Sequence, residues 1–138
     1  MHYTLAFLAD EHATRHAHQE CDLLLRTNGV SEKARAAARI VVAEALNNIV
    51  EHAYAGQGGK QIDLHVQILQ KTVRFRITDS GAPLPGETLP PGAFPDISYG
   101  ADNLPEGGFG WPLIHALTDK LSYQRKNSEN ILQFQFSR

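Results

Sequence analysis

The sequence predicts an α/β fold, because stretches with the period of strands alternate with stretches with the period of helices along its 138 residues. Runs at both ends and in the middle alternate apolar and polar residues, which is typical of strands with one buried face. Two longer stretches repeat apolar residues at three- and four-residue steps, the pattern of amphipathic helices. A chain of this length is near the common size of one domain, so we expect residues 1–138 to form a single domain.

Composition and charge limit the classes of function. The chain is 42% hydrophobic and 20% charged, as soluble globular proteins are. Its net charge of −2 includes no basic run, so we expect no direct nucleic-acid partner. No apolar run reaches the length of a membrane span, and the first ten residues lack a signal-peptide pattern, so we expect no membrane partner. The single cysteine, Cys21, excludes an intrachain disulfide and suits a cytoplasmic location.

The first half of the chain predicts one strand and two helices. Alternation over residues 3–7 indicates an edge strand, and a helix follows over residues 10–27 until Asn28-Gly29 stops it. Ser31 is a helix cap, and the second helix is predicted over residues 32–54.

The second half predicts four strands, a long loop and a short helix. Runs 62–68 and 73–77 flank three loop residues and indicate an antiparallel hairpin. Residues 80–106 have no sustained period and hold six of the seven prolines, which favours a lid or binding loop. A short helix over residues 111–120 and two closing strands, 121–125 and 131–136, complete the chain.

Three polar residues follow one edge of the second predicted helix. Glu44, Asn48 and His52 are spaced by four residues, and at about 100° per residue they stack. Asn48 should border the core, whereas Asn47 should face solvent. An amide oxygen is a suitable Mg²⁺ ligand, and a carboxylate one turn earlier can accept a proton, although such a pair can also be a satisfied polar border.

Asp79 is predicted to point into the protein. It has the same strand parity as Val73, Phe75 and Ile77, so its carboxylate needs hydrogen-bond donors. A capped turn or a nearby lysine can supply them, and so can the exocyclic amine of a bound purine. Gly81, two residues later, allows the backbone to approach a flat ring closely.

A glycine cluster, Glu106-Gly107-Gly108-Phe109-Gly110, leads into the short helix. Glycines free the backbone amides, and a helix N-terminus has partial positive charge, which together favour phosphate binding. Such a cluster can also be a simple turn. It lacks the lysine of a Walker A loop, which disfavours a P-loop fold.

Taken together and in this order, the three motifs resemble the N, G1 and G2 boxes of the Bergerat-fold (GHKL) ATPases, which include gyrase, histidine kinases and mismatch-repair ATPases. EALNNIVEHAY, ITDSGAPL and EGGFGWPLI resemble most closely the anti-sigma-factor serine-protein kinases, and the resemblance covers nearly the whole chain. It implies a two-layer α+β sandwich, in which helices cover one face of a mixed, mostly antiparallel sheet, with an ATP lid at about residues 80–106.

The resemblance also implies roles for individual residues. Glu44 matches the carboxylate that activates the attacking hydroxyl, and Asn48 matches the Mg²⁺ ligand. His52 closes the same box, and Asp79 matches the residue that binds the adenine amine. The other matched positions are Gly81, beside the adenine, and the loop around the phosphates, comprising Gly107, Gly108, Phe109 and Gly110.

The family uses ATP and Mg²⁺ to phosphorylate a serine of an anti-anti-sigma partner, and phosphorylation controls whether the kinase holds that partner or a sigma factor. A similar protein is expected to be a homodimer. The chain departs from the family pattern at Pro83, where a second glycine is usual, and at Pro112 after the second glycine box. Both departures put the path of the lid in question.

Other functions stay open at the level of the sequence. A non-catalytic module could bind ATP and sequester a regulatory partner, with the nucleotide ordering the lid. A detached histidine-kinase catalytic domain fits less well, because the chain has no dimerising hairpin with a phosphoacceptor histidine. His12, His16 and His18 lie close together and could hold a metal, although a solvated helix face explains them as well.

Overall fold

The computed structural model describes residues 1–93 and 110–138. Its elements, in chain order, are β1 (His2–Leu8), α1 (Glu11–Thr27), α2 (Glu32–Asn48), a π-helix (Ile49–Ala53), β2 (Gln61–Ile68), β3 (Thr72–Asp79), a 3₁₀ turn (Pro85–Glu87), α3 (Gly110–Leu117), β4 (Lys120–Lys126) and β5 (Glu129–Ser137). The strands form one five-stranded sheet in the order β1-β2-β3-β5-β4. The predicted α/β fold class is confirmed.

The sheet is antiparallel at each of its four pairings. Within the described ranges there is therefore no parallel pair. The family resemblance implied a mixed sheet, and the described strands form a purely antiparallel one. The predicted hairpin is β2 and β3, and β1 is an edge strand as expected. Antiparallel neighbours need only short turns, which suits the two-residue connection between β4 and β5, where Asn127 and Ser128 both have positive φ.

Both long helices begin at the residues that the sequence predicted. The Asp10 side chain accepts a hydrogen bond from the Ala13 amide at 2.7 Å, and Ser31 accepts one from the Ala34 amide at 3.1 Å. These side chains satisfy first-turn amides that have no partner within the helix. α1 ends at Thr27, before Gly29 with φ of 74°.

The second helix was predicted to be a continuous α-helix to residue 54, which is wrong. It widens at Ile49 into a π-helix that ends at Ala53, where the Tyr54 amide donates to the Ile49 carbonyl. Contacts remote in sequence accompany this change: the Ala53 carbonyl accepts from the Ala82 amide at 2.8 Å, and the Tyr54 hydroxyl accepts from the Ser80 amide. The end of the helix is thus fixed against the segment that follows β3.

The core lies between the helices and one face of the sheet. Alternate residues of β2, β3 and β5 are buried, as the strand parity predicted. Phe75 and Phe134 stack at 5.0 Å between ring centroids, and Phe136 meets both rings edge-on. Cys21 lies on the buried face of α1, and burial raises the pKa of its thiol to about 12.

The short third helix ends earlier than predicted, at Leu117 instead of residue 120. The Thr118 hydroxyl bonds to the Ile114 carbonyl, and the Asp119 amide already bonds to Gln135 of β5. The chain therefore leaves the helix three residues sooner, and β4 begins at Lys120, one residue before its predicted start. Within the described residues, no helix is long and apolar enough to cross a membrane.

Candidate nucleotide site

A cavity of about 430 Å³ opens between the C-terminal part of α2, the end of β3 and the start of α3. Asn48 and His52 line one side. We call these two residues, together with the neighbouring Glu44, the helix end. Asp79, Tyr123 and Asn130 line the other side, which we call the strand end. The structure thus brings an amide from the first predicted motif and the carboxylate of the second into one cavity.

The helix end retains one buried polar atom that contacts within residues 1–93 and 110–138 do not use. Asn48 is half-buried and Asn47 exposed, as the helical periodicity predicted. The Asn48 Nδ2 atom is buried and has no hydrogen-bond partner among the described residues. A buried amide without a protein partner loses free energy unless a ligand satisfies it, so Asn48 fits a ligand-binding position.

Glu44 lies one turn before Asn48, outside the cavity lining but beside the start of α3. A Cβ atom at Gly110 would lie 2.9 Å from the Glu44 Oε2 atom, so the glycine leaves room for this carboxylate. The structure therefore places Glu44 next to the residue that ends the glycine cluster. His52 is exposed and belongs to the π-helix, and it lines the cavity together with Asn48.

The strand end is internally hydrogen-bonded. Asp79 is 5% exposed, and its Oδ1 atom accepts from the Gly81 amide at 2.9 Å and from Asn130 Nδ2 at 2.8 Å. Burial raises the pKa of the Asp79 carboxyl, while the hydrogen bonds from Asn130 and Gly81 oppose that rise. The need for donors inferred from the sequence is met by a turn amide and an asparagine, and no lysine takes part among the described residues.

Gly81 has a packing reason to be glycine. A Cβ atom there would lie 2.5 Å from the Ala53 carbonyl oxygen, a separation that folded proteins do not tolerate. The segment after β3 thus sits directly on the π-helix. Contact between Gly81 and a bound ring stays a prediction.

The remaining predicted site residues divide between the described and undescribed parts of the chain. Gly110 begins α3, whereas Gly107, Gly108 and Phe109 lie outside the described residues, as does the lid from residue 94 to 106. The first part of the predicted lid was expected to have no regular structure. It contains the 3₁₀ turn Pro85–Glu87. Pro83 lines the cavity, and Pro112 is buried within α3.

The sequence reasoning missed three residues of this site. Tyr123 and Asn130 line the cavity beside Trp111, and Arg125 donates to the Gly81 carbonyl and to Asn130 Oδ1. Asn130 shares its strand parity with Leu132, Phe134 and Phe136, so the parity argument that identified Asp79 could have identified it too.

The candidate metal ligands His12, His16 and His18 do not converge on one point. His18 Nε2 lies 2.8 Å from the Arg39 carbonyl, while His16 Nδ1 lies 3.9 Å from a carboxylate oxygen of Glu20.

The profile of the histidine kinase-like ATPase domain matches residues 7–136. The chain belongs to this family. Within it, the chain is 32% identical over 96 residues to the serine-protein kinase RsbW of Staphylococcus aureus strains MSSA476 and Newman, an alignment of 68% of this chain and 60% of each relative. The chain thus matches less than two thirds of the length of these curated relatives.

The fold has a counterpart among solved structures. The crystal structure of the RsbU and RsbW domains of Rv1364c from Mycobacterium tuberculosis superimposes with a TM-score of 0.69 at 16% identity, covering the whole of this chain and 33% of that one. This similarity supports the ATPase-domain fold. Membership of an ATPase family implies that ATP is the ligand.

Proposed function

We propose that residues 1–138 act as one ATPase domain that binds ATP with Mg²⁺ in the cavity between the helix end and the strand end. Asp79 accepts a hydrogen bond from the adenine amine, with Gly81 beside the ring, and Asn48 contributes its amide oxygen to Mg²⁺. The single observation that supports this most strongly is the presence of Asn48 and Asp79 in the same cavity. His52 lies at its rim, and Gly107, Gly108, Phe109 and Gly110 are assigned to the phosphates.

We further propose that the chain is a protein-serine kinase that acts as an anti-sigma factor. Its substrate is a serine of an anti-anti-sigma protein, its alternative partner is a sigma factor or similar regulator, and phosphorylation switches between them to regulate transcription. Similarity to RsbW serine-protein kinases supports this assignment. The γ-phosphoryl group of MgATP would pass to the serine oxygen as its bond to ADP breaks and ADP leaves. Glu44 would accept the proton of the serine hydroxyl, and amides near Gly110 would orient the phosphates.

A homodimer in the cytoplasm completes the proposal. β1 is paired on one side only and contains no charged Asp, Glu, Lys or Arg residue. An uncharged edge strand of seven residues exposes backbone groups that a second strand can bond, which supports association of two copies.

The kinase assignment is tested with Glu44→Gln, which keeps the shape of the side chain but removes the base. We expect phosphate transfer from ATP to an anti-anti-sigma protein of the same genome to fall by about a hundredfold or more, with ATP affinity within about threefold of wild type. Glu51→Gln is the matched control, because Glu51 is exposed on the π-helix and does not line the cavity.

The same assay separates the kinase from a binding module. A module that only sequesters its partner binds MgATP and the partner without transferring phosphate in wild type. Transfer at the wild-type rate in Glu44→Gln contradicts the role of Glu44, and absence of transfer in wild type with intact ATP binding favours the module.

A further inference from the structure

Asn130 is the centre of the hydrogen bonds at the strand end. It stands opposite Asp79 across the β3–β5 pairing and opposite Arg125 across the β4–β5 pairing. Its side chain is 5% exposed, and both of its polar atoms are used. Nδ2 donates to Asp79 Oδ1 at 2.8 Å and to the Ala82 carbonyl at 2.9 Å.

Two neighbours fix which way the Asn130 amide points. Its Oδ1 atom accepts from the Tyr123 hydroxyl and from Arg125 Nη1 at 3.1 Å. Arg125 can only donate, so the oxygen must face it and the nitrogen must face Asp79. The reversed amide would set two donors against each other and an oxygen against a carboxylate.

This orientation determines what Asp79 can do. Its Oδ1 atom already accepts two hydrogen bonds, from Asn130 and Gly81, which stabilise the charged form of the carboxyl. Without these donors, burial would favour the protonated form. The second oxygen then serves as the acceptor for a ligand in the cavity.

The same residues also fix the backbone that leaves β3. Arg125 Nη1 donates to the Gly81 carbonyl at 2.6 Å, and the Tyr123 hydroxyl accepts from the Leu84 amide at 3.1 Å. Together with the bond from Asn130 to Ala82, these contacts hold residues 81–84 against β4 and β5. The wall of the cavity next to Asp79 is therefore held by contacts within the protein.

We propose that Asn130, held in one orientation by Tyr123 and Arg125, is a positioning residue that determines base specificity. It keeps Asp79 an acceptor, so that the cavity selects a purine with a 6-amino group over one without it. The inference rests on the proposed ATP binding, and it assigns the selection to three residues of β4 and β5 that do not themselves have to touch the base.

The test compares ATP with purine riboside triphosphate, which has hydrogen in place of the 6-amino group. For the wild-type protein with Mg²⁺, we expect calorimetry to give ATP about tenfold to a hundredfold higher affinity, the value of one hydrogen bond to a charged acceptor. In Asn130→Leu, ATP should lose affinity while the analogue changes little, so that the ratio of the two affinities falls by at least about threefold. Gln133→Leu, on the exposed face of the same strand, should keep the wild-type ratio.

A merely structural role for Asn130 gives a different result, since general loosening of the cavity weakens both nucleotides by the same factor. An unchanged ratio in Asn130→Leu overturns the inference and leaves ATP binding intact. If wild type binds neither nucleotide, the proposed function fails and the inference fails with it.

A second variant covers the case in which Asn130→Leu does not fold. Tyr123→Phe removes one hydroxyl that orients the amide, so the affinity ratio should fall in the same direction by a smaller factor. Tyr3→Phe, which removes a hydroxyl far from the cavity on β1, is its control. A wild-type ratio in folded Tyr123→Phe contradicts the orientation argument.

Discussion

The two ends of the cavity differ in how their polar groups are hydrogen-bonded. At the strand end, Asp79, Asn130 and Tyr123 are bonded to one another and to the backbone. At the helix end, the buried nitrogen of Asn48 has no partner among the residues the structure describes. The strand end is thus held by contacts within the protein, whereas the helix end keeps a buried polar atom that a ligand can satisfy. Under the proposed function, selection of the base and binding of Mg²⁺ are therefore separable, and substitutions should affect one without the other.

The largest expected effect is at the strand end, in Asp79→Asn. The new amide oxygen can still accept from Asn130 and Gly81, which points its NH₂ group into the cavity as a donor. This NH₂ group then faces the adenine amine, which is also a donor. Because the two donors cannot bond, ATP affinity should fall by about a hundredfold. Calorimetric titration with ATP and Mg²⁺ measures this, and an affinity within threefold of wild type contradicts the assignment of Asp79.

The stability of Asp79→Asn should change in the other direction. The pKa of Asp79 is raised by burial, so its folded form binds protons more tightly than its unfolded form. The contribution of this group to stability is therefore fully present below its ordinary pKa of 3.8 and is lost as the pH rises through the raised folded value. At pH 7 the substitution removes the free-energy cost of burying a charged carboxylate, so the urea midpoint should equal or exceed the wild-type midpoint.

A smaller effect should follow Gly81→Ala, which tests whether the strand end depends on the π-helix. The added methyl group would overlap the Ala53 carbonyl, and forcing these segments apart should lower the free energy of unfolding by about 2 kcal/mol. Gly58→Ala is the matched control, because a Cβ atom there meets nothing within 4 Å. Equal urea midpoints for the two variants would contradict the close approach.

The helix end should show a still smaller and different effect in Asn48→Ala. Removal of the amide should lower ATP affinity by about tenfold, or 1.4 kcal/mol, in Mg²⁺ and leave affinity in a chelator unchanged. Asn47→Ala is the control, since the neighbouring amide is exposed and outside the cavity. An equal loss with and without Mg²⁺ would mean that Asn48 contacts the nucleotide and not the metal.

The sequence predicted local features of this protein better than features that depend on remote contacts. Period-2 alternation located β1, β2 and β3, and the stop at Asn28-Gly29 and the cap at Ser31 located the boundary between the two long helices, because these signals lie within a few residues. The π-helix has no such signal: its widening accompanies the contact of Ala53 with residues 81 and 82. Asn130 was missed because the last strand was predicted to begin at residue 131, whereas β5 begins at Glu129.

The three-motif resemblance identified the family, and the structure brought Asn48 and Asp79 into one cavity as that resemblance implied. Spacing could not reveal that Asp79 takes one of its two donors from β5, because that contact spans 51 residues. The roles of Glu44, Asn48 and His52 toward a ligand stay predictions.

The position of Trp111 gives the protein an intrinsic optical reporter. It is the single tryptophan of the chain, and its indole lines the cavity at the start of α3. A nucleotide that enters beside it changes the polarity around the ring, so emission should shift or be quenched during titration. Unlabelled wild-type protein is therefore sufficient to follow occupancy in real time by stopped-flow spectroscopy.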